Sequence, residues 1–160
     1  MTRHNRSRPG GALALVAFGL VLSTAFVPFS GAEASNASEW SSAVNLGPVV
    51  NSGFSDFAPH STADGLSLYF TSTRQDSLGG EDLWASQRAT RDDPWDTPRN
   101  LGATINTAAN ERSPALSSNG RLLFFATDRT GGSGGFDIWM SWRADPRDDL
   151  AWEAPVNLGT

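Results

Sequence analysis

Hydrophobic and polar positions follow the same order in two stretches of this chain, and each stretch predicts a turn, a buried strand and a second turn. Asn119-Gly120 precedes an apolar run at residues 122–126, and Asp128-Arg129 follows it. Asp64-Gly65 precedes a similar run that ends before Arg74. The glycine of each pair accepts a positive φ at little cost, as a tight hairpin requires. The two stretches lie 55 residues apart and therefore indicate an internal repeat.

The repeat extends well beyond these two turns. Residues 40–88 align with residues 95–143 without a gap, and 16 of the 49 aligned positions are identical. A further copy begins at Trp152 and continues through Asn157-Leu158-Gly159. We therefore divide the chain into repeats at residues 40–94 and 95–151, with a third copy beginning at residue 152.

Each repeat predicts four short strands separated by turn signals. The predicted strands span residues 57–61, 66–73, 82–88 and 97–101 in the first repeat, and residues 113–117, 121–127, 137–143 and 154–158 in the second. Outside the N-terminal leader, no segment has the length and the 3.6-residue period of a helix. We predict an all-β fold of two four-stranded repeats, with an extra outer strand at residues 40–47. Four strands in about 55 residues are typical of a β-propeller blade.

Two motifs recur with the repeat. The first is Pro-x-x-Ser-x-(Asp/Asn)-Gly-x-x-Leu-aromatic-Phe-x-(Ser/Thr)-x-Arg, followed by Gly-Gly-x-Asp-(Leu/Ile)-Trp, at residues 114–139 and, with Thr62 in place of Ser, at residues 59–84. The second is Trp-x-x-Pro-x-Asn-Leu-Gly at residues 95–102 and 152–159; residues 40–47 carry Ala43 in place of Pro. Together they resemble the WD-repeat-like β-propeller repeat of the TolB type, as found in exported proteins. The resemblance implies a propeller fold and no particular activity, because one scaffold carries many functions.

The number of repeats raises a question about the assembled molecule. Propellers usually have four to eight blades, whereas residues 40–160 encode two repeats. An open pair of blades would leave sheet faces and edges uncovered and would favour association. Three interpretations stay open: these repeats belong to a longer parent chain, several copies assemble into one ring, or the two repeats form a stable monomer.

Residues 1–34 predict a signal peptide, followed by a short leader at residues 35–39. Arg3, Arg6 and Arg8 form a positive n-region, and residues 12–27 form an apolar run. Ala32-Glu33-Ala34 then fits a small-residue cleavage site. The apolar run is shorter than the roughly 20 residues that span a bilayer. We therefore expect cleavage, no stable membrane span afterwards, and an exported protein that is secreted, periplasmic or part of the cell envelope. The alternative is an uncleaved anchor.

Composition narrows the functional classes. The chain has no Cys and no Lys, which excludes disulfides, thiolate metal sites, Cys nucleophiles and Schiff-base lysines. Without residues 1–34, nine Arg face 16 acidic residues, and this net charge of −7 argues against a nucleic-acid partner. We expect no cofactor. An acidic loop at residues 76–82 could bind calcium, but its counterpart at residues 130–137 lacks two of the ligands, so no metal site is predicted.

Asp56 and Glu111 share one repeat position, just before the predicted innermost strand. Loops at this place face the channel mouth in a propeller, where the carboxylates could bind a cation or a basic peptide. The alternative is that each carboxylate caps backbone N–H groups or pairs with an arginine.

Arg74 and Arg129 also share one repeat position, in phase with Asp82 and Asp137. An ion pair or hydrogen bond between these residues would join the second and third strands of each repeat. In the alternative interpretation, the arginines bind the carboxylate of a peptide or glycan ligand.

Trp142 is the one tryptophan without a counterpart, because Gln87 stands at its position in the first repeat. The other five tryptophans recur with the repeat and predict packing between blades, so Trp142 is the best candidate for an exposed aromatic contact. His60 and Ser61 are adjacent on a predicted strand and point to opposite faces, which argues against a Ser–His nucleophile pair.

We therefore predict an exported, non-catalytic module that binds a protein, peptide or glycan partner. Its candidate ligand-binding residues are Asp56, Glu111, Arg74, Arg129 and Trp142. The alternative is the N-terminal propeller portion of a larger exported peptidase or glycosidase.

Overall fold

The computed structural model describes residues 41–159, in which no residue is helical. In this range, accordingly, no helix is long and apolar enough to cross a bilayer. The predicted signal peptide at residues 1–34, the leader at residues 35–39, and Trp40 lie outside the described residues.

Eight strands form two four-stranded antiparallel sheets, one for each repeat. The first sheet contains β1 (Asp56–Ser61), β2 (Ser67–Ser72), β3 (Asp82–Gln87) and β4 (Arg99–Asn100), and the second contains β5 (Glu111–Leu116), β6 (Leu122–Thr127), β7 (Asp137–Trp142) and β8 (Val156–Asn157). Strands that are consecutive in sequence are neighbours in both sheets. For the described residues, the prediction of an all-β fold with four strands per repeat is confirmed.

Residues 41–47 form no strand, although an outer strand was predicted there. Their counterparts, β4 and β8, pair with β3 and β7 of their own sheets. The described residues contain no strand ahead of β1 with which residues 41–47 could pair.

The first strand of each sheet bulges at the same place. The register shifts between Phe57 and His60 in β1, and between Arg112 and Ala115 in β5. Within the bulges, Ala58 has a φ of 49° and Ser113 a φ of 58°. Both are left-handed conformations that non-glycine residues seldom adopt. The repeat therefore preserves an irregular backbone feature as well as the strands.

The main hydrophobic core lies between the two sheets. Tyr69, Leu83 and Ala85 of the first sheet pack against a buried cluster at Leu101, Ile105, Leu123, Phe125 and Trp152. The rings of Tyr69 and Trp152 meet edge to face, with their centroids 6.2 Å apart. The opposite face of the first sheet carries a second cluster, formed by Val50, Leu68, Phe70 and Trp84. Both sheets therefore depend on large aromatic side chains for burial of apolar surface.

A buried charged cluster of Arg143, Asp149 and Tyr69 lies within this interface. The Arg143 Nη1 donates to Asp149 Oδ1 at 2.6 Å and to the Tyr69 hydroxyl at 2.8 Å, and that hydroxyl donates to Asp149. Arg143 and Asp149 are 0% and 1% exposed. Burial raises the pKa of Tyr69, and the nearby charge of Asp149 raises it further, so the hydroxyl keeps its proton. The cluster ties the second repeat to β2 of the first.

Asn106 connects the segment between the sheets to β3. Its side-chain Oδ1 accepts from the Leu83 N–H at 2.9 Å, and its Nδ2 donates to the Leu83 carbonyl at 2.9 Å and to Asn100 Oδ1 at 2.8 Å. The counterpart of Asn106 in the first repeat is Asn51, whose Nδ2 donates to Asn45 Oδ1 at 3.0 Å.

Candidate functional site

The first pair of predicted site residues forms an ion pair inside the first sheet. Arg74 Nη2 lies 2.6 Å from Asp56 Oδ1 and also donates to the Val50 carbonyl at 2.7 Å. Asp56 further accepts from the Ser72 hydroxyl at 2.6 Å and from the Ser52 N–H at 2.6 Å. This cluster fastens the start of β1 to the end of β2 and to the preceding turn.

The second pair repeats this arrangement in the second sheet. Arg129 Nη2 lies 3.2 Å from Glu111 Oε1, and the Glu111 carboxylate accepts from the Thr107 N–H at 2.8 Å and from the Thr127 hydroxyl at 3.0 Å. The Glu111 side chain is 0% exposed. Each of these arginines therefore pairs with the acidic residue of its own sheet.

Aromatic rings enclose both guanidinium groups. Arg74 lies 4.9 Å from the ring centroid of Phe70 and 5.0 Å from that of Trp84. Arg129 lies at 5.3 Å and 5.1 Å from the corresponding rings, those of Phe125 and Trp139. The aromatic faces add cation–π attraction, which explains why Arg, Phe and Trp recur together in the repeat.

The predicted contact of the arginines with Asp82 and Asp137 is wrong. The Asp82 carboxylate turns back onto its own loop, where it accepts from the backbone N–H groups of Leu78 at 2.7 Å and Gly79 at 3.1 Å. Asp137 likewise accepts from the Ser133 N–H at 2.8 Å. Backbone N–H groups of the glycine-rich loops bind these carboxylates, and each arginine pairs instead with the acidic residue at the start of the first strand of its own sheet.

The environment of Asp56 strongly favours its charged form. Burial alone would raise the pKa of Asp56, but hydrogen bonds from Ser72, Arg74 and Ser52 outweigh burial and lower the pKa from 3.8 to about 2. A carboxyl whose pKa is lower in the folded state stabilises the fold above its unfolded pKa and loses that contribution as the pH falls through the folded pKa.

We expect Asp56→Asn to remove this pH-dependent contribution. At neutral pH, the variant should have a free energy of unfolding about 2 kcal/mol below that of the wild type. The difference should shrink between about pH 5 and pH 2, because the wild-type carboxyl becomes protonated there. Urea unfolding at a series of pH values measures it. The exposed Asp92→Asn serves as control; equal pH dependence in both variants would refute the assignment.

The fifth predicted residue, Trp142, belongs to a different surface. It is 50% exposed and lies at the end of β7. In the register of the second sheet, Phe124, Met140 and Val156 stand directly opposite one another and therefore share a face with Trp142. We call this surface the outer face; its members are Leu122, Phe124, Ala126, Ile138, Met140, Trp142, Val156 and Leu158.

The outer face is apolar and largely open. Ile138 and Val156 are each 53% exposed, and Leu158 is 52% exposed. Sequence reasoning singled out Trp142 and missed these neighbours, although the alternation of apolar residues at positions 138, 140 and 142 is a detectable signal. Isolated exposed apolar residues are common, but a contiguous row across three strands marks an interaction surface.

A concave surface lies between the turns of the two sheets. It is a groove of about 370 Å³, lined by polar and charged residues that include Asp64, Arg88, Asp96 and Arg147. An adjoining depression reaches the turn at Ser118 and Asn119. Among the described residues, no group of three or more acidic or histidine side chains is placed to hold a metal ion.

These two surfaces differ in what they can bind. The outer face offers apolar contact, whereas the groove offers hydrogen bonds and charge of both signs. No family model, curated protein or solved structure matches the chain.

Proposed function

We propose that this protein is an exported, non-catalytic β-propeller module that binds a protein partner through the outer face of its second sheet. The observation that carries the proposal is the row of exposed apolar side chains at Ile138, Trp142, Val156 and Leu158. Contiguous apolar patches on soluble proteins are typical of binding surfaces.

The chemistry of the outer face favours a protein over a glycan. Its members offer aliphatic and aromatic side chains from β6, β7 and β8 and no charged group. Sugar hydroxyls need hydrogen-bonding partners, whereas the apolar side chains of a protein need only complementary packing. Trp142 and Met140 are residue types that are enriched in protein interfaces.

The propeller assignment is supported by the sheets themselves. Each 55-residue repeat makes one four-stranded antiparallel sheet with consecutive strand order, and the two sheets pack face to face. This is the organisation of propeller blades. It agrees with the resemblance of the repeat to the TolB type, and the n-region and apolar run of residues 1–34 support export.

The polar groove supports a second candidate function, which is binding of a peptide or glycan. Arg147 lines this groove and is exposed; within residues 41–159 its guanidinium makes no hydrogen bond or ion pair. A ligand carboxylate would fit such a group. The larger-hydrolase alternative would require catalytic residues beyond Thr160, which the gene sequence past that residue would reveal.

Photo-crosslinking tests the proposed function. A photoreactive amino acid in place of Trp142 should form crosslinks to protein when the chain is exported by its own host. The same amino acid in place of Leu78, which is 50% exposed in the β2–β3 loop, is the matched control. Equal crosslinking at both positions, or none at position 142, would overturn the proposal.

A further inference from the structure

We infer that the partner at the outer face is a second copy of this chain, whose first sheet docks there as the second sheet docks on the first within one chain. The inference rests on the proposed function, because it names the partner of the same surface. It is carried by pairs of positions that changed together between the two repeats.

Equivalent positions are buried where the two sheets meet and exposed where no sheet covers them. Leu83 is 0% exposed against the second sheet, whereas its counterpart Ile138 is 53% exposed on the outer face. On the opposing surface, Pro114 of β5 is buried, whereas its counterpart Pro59 of β1 is exposed. Beside Pro59, an apolar pocket of about 100 Å³ is lined by residues that include Phe57 and Phe70. Each chain therefore carries both halves of a second interface of the same kind.

The first matched change replaces an ion pair by two aromatic residues. Within one chain, Arg112 of the second sheet faces Glu81 beside the first sheet, with Nη1 and Oε2 3.7 Å apart. The counterpart of Arg112 is Phe57, and the counterpart of Glu81 is Phe136, which is 40% exposed. If a second copy docks in the same arrangement, its Phe57 meets Phe136. Both members lost their charge together, which preserves complementarity.

The second matched change concerns the buried charged cluster. At a contact between two copies, Phe124 of one copy would stand where Tyr69 stands within a chain. Arg88 of the second copy would stand where Arg143 stands. The hydroxyl is absent from one side. On the other side, the linker between Arg88 and Trp95 is two residues shorter than the linker that supplies Asp149. Its aspartates, Asp92 and Asp93, are exposed, and within the described residues Arg88 forms no ion pair with either of them. Donor and acceptor have disappeared together, so Phe124 can pack on Arg88 and Trp95 without leaving an unpaired hydroxyl.

The backbone at Ile138 and Gly135 also fits such a contact. Asn106 binds the N–H and carbonyl of Leu83; by repeat equivalence, Asn51 of a second copy would bind those of Ile138. At Gly80, an added Cβ would lie 2.6 Å from Asn110 Oδ1, because the loop before β5 passes close by. The counterpart Gly135 has no atom within 4 Å of that point, and an incoming loop would fill this space.

One segment must move for the copies to dock. Residues 45–47 and 157–159 carry the same Asn-Leu-Gly sequence, and the asparagine of each caps the glycine N–H at 2.7 Å. When two copies dock, residues 157–159 of one copy and residues 45–47 of the other would need the same place beside β7, and only one of them can occupy it. Residues 157–159 already continue β8, which pairs with β7. Residues 41–47 form no strand, so they are the segment that leaves. Asn51 then exchanges Asn45 Oδ1 for Asn157 Oδ1 of the partner.

Such a contact joins two different surfaces and is therefore heterologous. Repetition of a heterologous contact gives a closed ring or an open filament. A variant that blocks either surface cannot associate with itself, but two variants blocked on different surfaces can form one contact between them. This property distinguishes the inference from a symmetric dimer.

A mixing experiment tests it with Phe57→Glu and Phe136→Glu in the chain purified from its own host. Sedimentation should show wild-type assemblies of two or more copies. Each variant alone should be monomeric, because the glutamate removes one of the two rings of the Phe57–Phe136 contact and places a carboxylate there. An equimolar mixture should form a dimer and nothing larger. Glutamate is acceptable at position 136, because Glu81 occupies the equivalent place. Circular dichroism confirms that both variants are folded.

Leu78→Glu is the matched control and should assemble like the wild type, because Leu78 lies outside both surfaces. Four results would overturn the inference: a monomeric wild type at its highest soluble concentration, a mixture that stays monomeric, a single variant that still associates, or a Leu78→Glu control that loses assembly. A monomeric wild type that crosslinks to another protein through position 142 would overturn self-docking and leave the proposed function standing. Absence of any crosslink would overturn both.

Discussion

Replacement of Asp149 by alanine is expected to lower the free energy of unfolding by about 3–5 kcal/mol. The Arg143 guanidinium is 0% exposed, and Asp149 is the only carboxylate among the described residues with which it forms an ion pair. Without Asp149, the arginine remains buried with its charge uncompensated, and the Tyr69 hydroxyl loses its acceptor. Thermal unfolding followed by circular dichroism should show a loss of roughly 15 °C in Tm.

Two further variants identify the cause of this loss. Asp93→Ala changes an exposed aspartate in the equivalent linker of the first repeat and should alter the stability by less than about 0.5 kcal/mol. The triple variant Tyr69→Phe, Arg143→Met, Asp149→Leu replaces the cluster by apolar groups and should recover most of the lost stability. If Asp149→Ala were no more destabilising than Asp93→Ala, the cluster would contribute nothing to the fold.

The second large effect is expected for Gly79→Ala, which should destabilise the protein by about 3 kcal/mol. An added Cβ would lie 1.8 Å from the Ala109 carbonyl oxygen and 2.8 Å from that of Thr107. Backbone cannot rotate away as a side chain can, so one of the two loops must shift. That shift would disturb the hydrogen bond from the Glu111 N–H to the Glu81 carbonyl, which measures 2.6 Å. Urea unfolding monitored by tryptophan fluorescence measures the loss.

Gly135→Ala is the control in the glycine-rich loop of the second repeat. Gly135 is the counterpart of Gly80, the neighbour of Gly79, and an added Cβ there would meet no atom within 4 Å. We expect a change of less than about 0.5 kcal/mol in the unfolding of the monomer. If copies associate as inferred, Gly135→Ala should weaken assembly and leave monomer stability unchanged. An equal loss of stability at positions 79 and 135 would contradict the contact seen at Ala109.

The strands were predictable because the repeat shows them twice. Continuous apolar runs after Asp-Gly or Asn-Gly turns mark β2 and β6, and the structure places both strands within one or two residues of the prediction. Positions that keep the same residue type in both repeats are the ones that each sheet needs in order to fold, whereas the other positions are free to differ. Strands that are consecutive in sequence are neighbours in each sheet, which is the usual arrangement of sequential strands.

Side-chain partners were less predictable, because several acidic residues recur with the same period. Asp82 and Asp56 are both in phase with Arg74, and only the backbone path of the β2–β3 loop decides between them. The bulges were also invisible, since Ala58 and Ser113 carry no signal of a positive φ. The outer face required knowledge of which side of the second sheet stays uncovered. Residue types do not contain that information; the packing of the two sheets does.

The two extra residues in the linker that supplies Asp149 also affect which repeat duplications would give a stable protein. Tandem copies of the first repeat alone would bury the Tyr69 hydroxyl beside Arg88 with no acceptor, because the aspartates of the shorter linker are exposed and, in the part of the chain that the structure describes, form no ion pair with Arg88. Tandem copies of the second repeat alone would set Asp149 and Arg143 against Phe124 and remove their hydroxyl partner. Strict alternation is the arrangement in which every such junction is satisfied. Selection would therefore favour duplication of the two repeats as one pair, and lineages that lengthen this protein should carry even numbers of repeats.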